Sequence, residues 1–149
     1  MPKIGAFAVI FDNQKRVLLV KRRDCPIWNL PGGRVNPRET PDDAILREIK
    51  EETRFEAGIQ DLSGIYFKPK ANEIVFCYLC QIKKGVFSPT PEASEIKFFN
   101  INRLPKRLPD THRERIKDAF SFRGKVFRKT QEPGSTKRLL THLQLSSQK

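Results

Sequence analysis

Acidic side chains, cysteine, histidine and long apolar runs are all scarce in this 149-residue sequence. Three cysteines, an odd number, argue against a disulfide framework. Cys77 and Cys80 are spaced like a metal or redox pair. They fall in Ile74 to Ile82, which reads as a strand, where residues three apart point to opposite faces. Two histidines, His112 and His142, leave a zinc site or a His-based triad almost unsupported, and both read as surface residues. No apolar stretch approaches the roughly 20 residues of a membrane span. The opening MPKIGAFAVIF lacks a signal-peptide layout and leads straight into a turn. The expectation is a cytoplasmic protein that does not engage a membrane. The length fits a single domain with a proper core.

Acidic residues number 17 against 29 basic ones, a net charge of +12. The excess is uneven. Residues 103–149 hold 13 basic and 4 acidic side chains, whereas residues 1–102 are close to balanced. A basic C-terminal third can attract polyanions, nucleic acid among them, or simply solubilise the chain.

What is present is punctuated cleanly. Ile4 to Phe11 reads as a buried strand, Asp12-Asn13-Gln14 as a turn, and Val17 to Val20 as a second strand. Lys21, Arg22 and Arg23 follow. Arg22 and Arg23 are candidates for phosphate contact, against an ordinary solvated strand end. Trp28 closes the next loop as a plug, with base stacking the alternative. Gly58 and Asp61 to Gly64 mark loops around a strand or bulge. Strands are expected at Ile65 to Lys68, at Glu73 to Lys83 and, as the last one, at Ile96 to Ile101. Asp110 or Thr111 can cap a final helix ending at Phe122. Strands and helices interleave, so the class is α/β or α+β. Beyond Gly124 the chain turns polar, with Leu139, Leu140, Leu143 and Leu145 in partial helical spacing. Residues 1–124 are expected to form the domain, and residues 125–149 a basic extension, partly docked or flexible.

The chain is organised around GGRVNPRETPDDAILREIKEETRF, Gly32 to Phe55. Thr40 is a good helix N-cap, and Pro41 at the first helical position loses nothing by lacking an N–H. Ile45, Leu46 and Ile49 form an apolar stripe. Glu48, Glu51 and Glu52, at i, i+3 and i+4, fall within an arc of roughly 100° beside it. Like charges so placed repel, and a hard divalent cation among them turns the repulsion into binding.

Gly33, Glu39 and the run Arg47-Glu48-Ile49-Lys50-Glu51-Glu52 resemble the signature box of the Nudix hydrolases, which cleave nucleoside diphosphates linked to another group. One position departs: Arg54 stands where the box has glycine. Either the helix runs on to Gly58, or Arg54 takes the left-handed backbone itself. Phe55, in the apolar position after that turn, favours the second.

The resemblance implies an α/β/α sandwich with a mixed sheet. It implies a Mg²⁺ site, Mn²⁺ being able to substitute, held by Glu48, Glu51, Glu52 and the carbonyl of Gly32. Arg47 would pair with a carboxylate such as Glu39 and hold the loop against the helix. The general base would be Glu52 or a later carboxylate, with Glu92 the alternative and Glu95 a structural ion pair. Gly33, Arg22, Arg23 and Trp28 are the candidates near substrate. The implied substrate is a small nucleotide: a nucleoside triphosphate or a nucleotide sugar such as ADP-ribose. Alternatives are removal of pyrophosphate from RNA 5′ ends and a non-enzymatic nucleotide-binding module.

Overall fold

The computed structural model describes residues 1–132. Among the described residues eight strands and two helices follow one another: β1 (Lys3–Ile10), β2 (Val17–Arg22), β3 (Trp28–Asn29), β4 (Gly32–Arg34), α1 (Pro41–Thr53), β5 (Glu56–Lys68), β6 (Glu73–Lys84), β7 (Ala93–Phe99), α2 (Asp110–Ser121) and β8 (Phe127–Thr130). A five-stranded sheet runs β4-β1-β6-β5-β8, and a three-stranded sheet runs β3-β2-β7. The larger sheet is mixed: β1 lies parallel to β6 and β5 parallel to β8, while β1–β4 and β5–β6 are antiparallel.

From Ile4 onward strand β1 is apolar because it is covered on both faces. Ala6, Ala8 and Ile10 pack with Ile45 and Ile49 of α1 in one cluster. Val9 packs with Tyr66, Ile116 and Ala119 on the α2 side. Cys77 and Cys80 of β6 fall into these two opposite clusters as free thiols, as the strand period requires. Burying Ile45 and Ile49 contributes roughly 1.5–3 kcal/mol each.

Helix α1 begins as its sequence dictates, with Thr40 Oγ1 accepting the Asp43 N–H at 3.1 Å. It ends on Arg54 in the left-handed region, φ 71°, with the Arg54 N–H donating to Lys50 O at 2.9 Å. Thr53 Oγ1 reinforces this end. It donates to Ile49 O and accepts the Phe55 N–H. The chain reverses there, seats Phe55 in the α1-side cluster, and starts β5.

Several elements differ from the sequence-based expectation. Gly58 to Gly64 is not a loop, because β5 runs unbroken from Glu56 to Lys68, absorbing its irregularities as bulges near Asp61 and Gly64. Helix α2 has Asp110 as its first residue and not as its cap. Its N-cap is Pro109, whose carbonyl accepts the His112 and Arg113 N–H groups. Strand β7 starts earlier, at Ala93, and is not the last strand. Residues 127–130 pair with β5 as β8, fastened where Lys129 Nζ meets Asp118 at 2.8 Å and the Gln131 N–H meets Phe67 O. The leucine segment and His142 lie outside the described residues.

Left-handed backbone costs a non-glycine L-residue roughly 1 kcal/mol or more. Arg54→Gly is therefore expected to be neutral to stabilising, by up to about 1 kcal/mol less the added unfolded-state entropy. Its urea unfolding midpoint checks this, and a clear drop would mean that the Arg54 side chain stabilises the turn by more than the strain costs.

Candidate active site

Two glycines bring β4 against the acidic face of α1. A Cβ on Gly33 would lie 2.7 Å from Glu48 Oε1, so only glycine leaves room for that carboxylate. Gly32, at φ 150°, would drive a Cβ into Ala6 O at 2.3 Å. Its N–H reaches Glu52 Oε1 at 3.4 Å. Glu48 and Glu52 are consequently buried carboxylates, 8% and 7% exposed, and Glu52 Oε2 has no hydrogen-bond partner among the described residues.

Arg47 organises what lies around them. Its guanidinium grips Glu39 in a two-pronged pair, Nε to Oε2 at 2.7 Å and Nη2 to Oε1 at 2.9 Å. The hydrogen bonds from Arg47 hold the half-buried Glu39 carboxyl at about 2. Nη1 reaches Glu48 Oε1 and Glu51 Oε2 at 3.1 Å each, and Nη2 also donates to Arg34 O. One side chain thus ties the loop, β4 and the acidic face together.

Glu92 completes the group from another direction. Carboxylate oxygens of Glu48, Glu51 and Glu92 lie within 4.8 Å of one another. The loop bearing Glu92 is fixed: the Arg23 N–H donates to Glu92 O, Arg23 Nε to Thr90 O, and Thr90 Oγ1 accepts the Glu92 and Ala93 N–H groups. Arg23 is therefore a positioning residue for that loop. Crowded hard-oxygen donors, with one buried oxygen lacking a partner, suit a divalent cation such as Mg²⁺. Without one, protonation must serve. Burial first, then the Glu48 charge, pushes Glu52 up to about 9. Burial likewise raises Glu48, against the pull of Arg47.

A cavity of about 410 Å³ opens onto Glu52, Glu92 and Gly32. Arg22 lines it, its guanidinium paired with the Asp24 carboxylate, whose hydrogen bond raises the Arg22 pKa. Asn29 lines it as well. Trp28 does not reach it: the indole packs edge-on against Phe99, ring centroids 5.0 Å apart, in the α2-side cluster. Gly33 serves Glu48 and lies outside the cavity lining. Glu95 sits in β7, opposite Lys21 of β2.

Sequence reasoning missed three participants. Asn29, the structural use of Arg23, and His112 all emerge only from the fold. His112 is buried rather than on the surface, and its Nδ1 accepts the Leu30 N–H at 3.0 Å, steadying the run into Gly32-Gly33. Burial holds its pKa well down, so it is neutral. The available signal was periodic. His112 and Arg115 share spacing with the inward-facing Ile116 and Ala119 of α2.

A NUDIX domain model matches residues 1–119. A putative 8-oxo-dGTP diphosphatase of Bacillus subtilis is 35% identical over 115 residues, which are 76% of this chain and 77% of that protein. An ADP-ribose pyrophosphatase of Methanocaldococcus jannaschii is 34% identical over 121 residues, 76% and 71% of the two chains. The solved structure of an ADP-ribose pyrophosphatase from Streptococcus suis superposes with a TM-score of 0.73 at 25% identity. It covers 88% of this chain and all of that one.

A raised native carboxyl makes stability pH-dependent with a definite sign. Glu52 titrates near 4.5 when unfolded and about 9 when folded, so folding favours its protonated form. That contribution is complete below about pH 4.5 and is lost as pH rises towards 9. The metal-free protein, held in EDTA, is expected to melt progressively lower across that window. Glu52→Gln should melt higher than the wild type at the alkaline end and show a flatter profile. Parallel profiles for the two proteins would contradict the buried-carboxyl reading.

Proposed function

The chain belongs to the Nudix hydrolase family, whose members are pyrophosphohydrolases acting on nucleoside diphosphate derivatives. From that premise we propose that it is a Mg²⁺-dependent hydrolase of a small nucleotide, either a nucleoside triphosphate or a nucleotide sugar such as ADP-ribose. The observation that carries this reading is the 410 Å³ cavity that opens directly onto Glu52 and Glu92. A nucleotide seated there has its phosphate chain beside the carboxylates. Both substrate types occur in the names of the relatives, which supports the pair without choosing between them.

Glu48, Glu51 and Glu52 would hold the metal, with the Gly32 carbonyl a further candidate donor. A bound divalent cation supplies charge neutralisation at phosphate oxygens and lowers the pKa of a water. Everything else falls to this chain. Arg47 holds Glu48 and Glu51 in register. Arg22, already oriented by Asp24, faces the cavity where it can neutralise a phosphate oxygen. Glu92 is the favoured base, because it comes from outside α1 and forms no ion pair among the described residues. It takes the proton of the attacking water as the new O–P bond forms and the anhydride P–O bond breaks. Preorganised charge and a positioned base are what this reaction demands of a protein.

The basic C-terminal third is the reason to consider RNA ends as substrate. The cavity that opens onto Glu52 and Glu92, however, is lined by no described residue of that segment. The small-nucleotide reading is therefore preferred.

The test is a panel of nucleoside triphosphates, oxidised triphosphates and nucleotide sugars, assayed for release of pyrophosphate or phosphate products with Mg²⁺. Glu52→Gln is expected to lower turnover at least ~10²-fold and to abolish the rise in melting temperature on adding Mg²⁺. Glu92→Gln should lower kcat by a similar ~10² while keeping that rise. Near wild-type turnover of Glu52→Gln at saturating Mg²⁺ would sink the metal assignment. Loss of the Mg²⁺ response in Glu92→Gln would make Glu92 a ligand and not the base.

A further inference from the structure

A second, smaller cavity of about 160 Å³ lies across Phe7 from the first, between β1, β4 and the start of α2. Its charge balance is unusual. Arg34, Lys68 and Arg115 line it against a single carboxylate, Glu73, which pairs with Lys68 at 3.4 Å. Thr111, in the first turn of the 12-residue α2, brings the positive end of the helix dipole to the same wall.

Arg115 makes the case. It is 1% exposed, the largest of the fully buried side chains. The Phe7 and Tyr66 rings lie 5.1 and 5.6 Å from its guanidinium carbon. Its hydrogen-bond acceptor is not a carboxylate but the neutral amide oxygen of Gln131, which takes both Nε and Nη2. Nη1 has no partner among the described residues. A buried full charge without an ion pair is costly, and evolution ordinarily removes it or pairs it. The two rings and the Gln131 amide engage part of the guanidinium but supply no negative charge. A planar donor fork left one N–H pair short, beside two more cations and a helix N-terminus, is arranged for an oxyanion.

We propose that this cavity is an anion site, separate from the carboxylate cluster, that takes a phosphate-sized dianion through Arg115, Lys68, Arg34 and the start of α2. The volume suits one phosphate group and not a whole nucleotide. The site stands independently of the hydrolase reading, because it needs neither metal nor turnover.

The experiment titrates inorganic phosphate into the metal-free protein by calorimetry, in EDTA, so that no metal can recruit phosphate to the glutamates. One site is expected. Lys68→Gln and Arg34→Gln should each weaken binding by about tenfold, the scale of one charge-assisted hydrogen bond. Glu73→Gln should tighten it by removing the opposing carboxylate. Arg115→Lys keeps the charge but loses the fork, and should weaken binding at least as much. Should that buried variant fail to fold, the two surface variants still decide the matter. Adding ADP then separates the sources. Displacement of phosphate by ADP assigns the site to a phosphate of the substrate, and simultaneous binding assigns it to free phosphate. No binding to the wild type, or affinity unchanged in Lys68→Gln and Arg34→Gln but lost in Arg22→Gln, would overturn the proposal.

Discussion

Glu48 and Glu52 are two carboxylates with little access to water, on one face of one helix, next to each other. Burying charge costs free energy unless it is paired, and burying two like charges costs more. Much of the architecture around α1 can be read as the means of keeping them there. Gly33 leaves a gap for Glu48, and the Gly32 N–H points at Glu52. Arg47 offsets part of the negative charge while binding Glu39 and the Arg34 carbonyl. The two isoleucines next to the acidic face anchor the helix in the core cluster it shares with β1.

The same constraint links fold to chemistry. Strand β1 is shared: it holds β4 on one side and β6 on the other, and so sets where Gly32 and Gly33 meet α1. The smaller sheet contributes differently. Arg22 ends β2 and Arg23 follows it, and they diverge, one into the cavity beside Asp24 and one back to fasten the loop of Glu92. Two adjacent arginines that look equivalent in sequence therefore do separate work. His112, from the far helix, steadies the Leu30 N–H at the entrance to the glycine pair. The carboxylate face is built from α1, but its shape is maintained by elements from both ends of the chain.

Much of this was legible in the sequence because it is local. The Thr40 cap, the left-handed turn at Arg54 and the Arg47–Glu39 pair all depend on residues within one continuous stretch. What escaped detection depends on distant partners. Phe127-Arg-Lys-Thr has too little pattern of its own to announce a strand, and becomes one by pairing along the edge of β5. Asp61 to Gly64 reads as turn chemistry, yet cross-strand pairing with β6 holds it extended through its bulges. His112 and Arg115 are polar residues on the inward face of α2. Only the packed structure reveals that a backbone N–H from Leu30 and an amide from Gln131 receive them.

The proposed function requires the acidic face of α1 to exchange a proton for a divalent cation. Metal binding to a protonated carboxylate must release that proton. The most direct measurement is calorimetric titration of Mg²⁺ into the metal-free protein near pH 7.5, repeated in buffers of different ionisation enthalpy. The wild type is expected to release about one proton per bound metal, and Glu52→Gln to show neither metal binding nor proton release. Binding without proton release in the wild type, or equal release from both proteins, would contradict it.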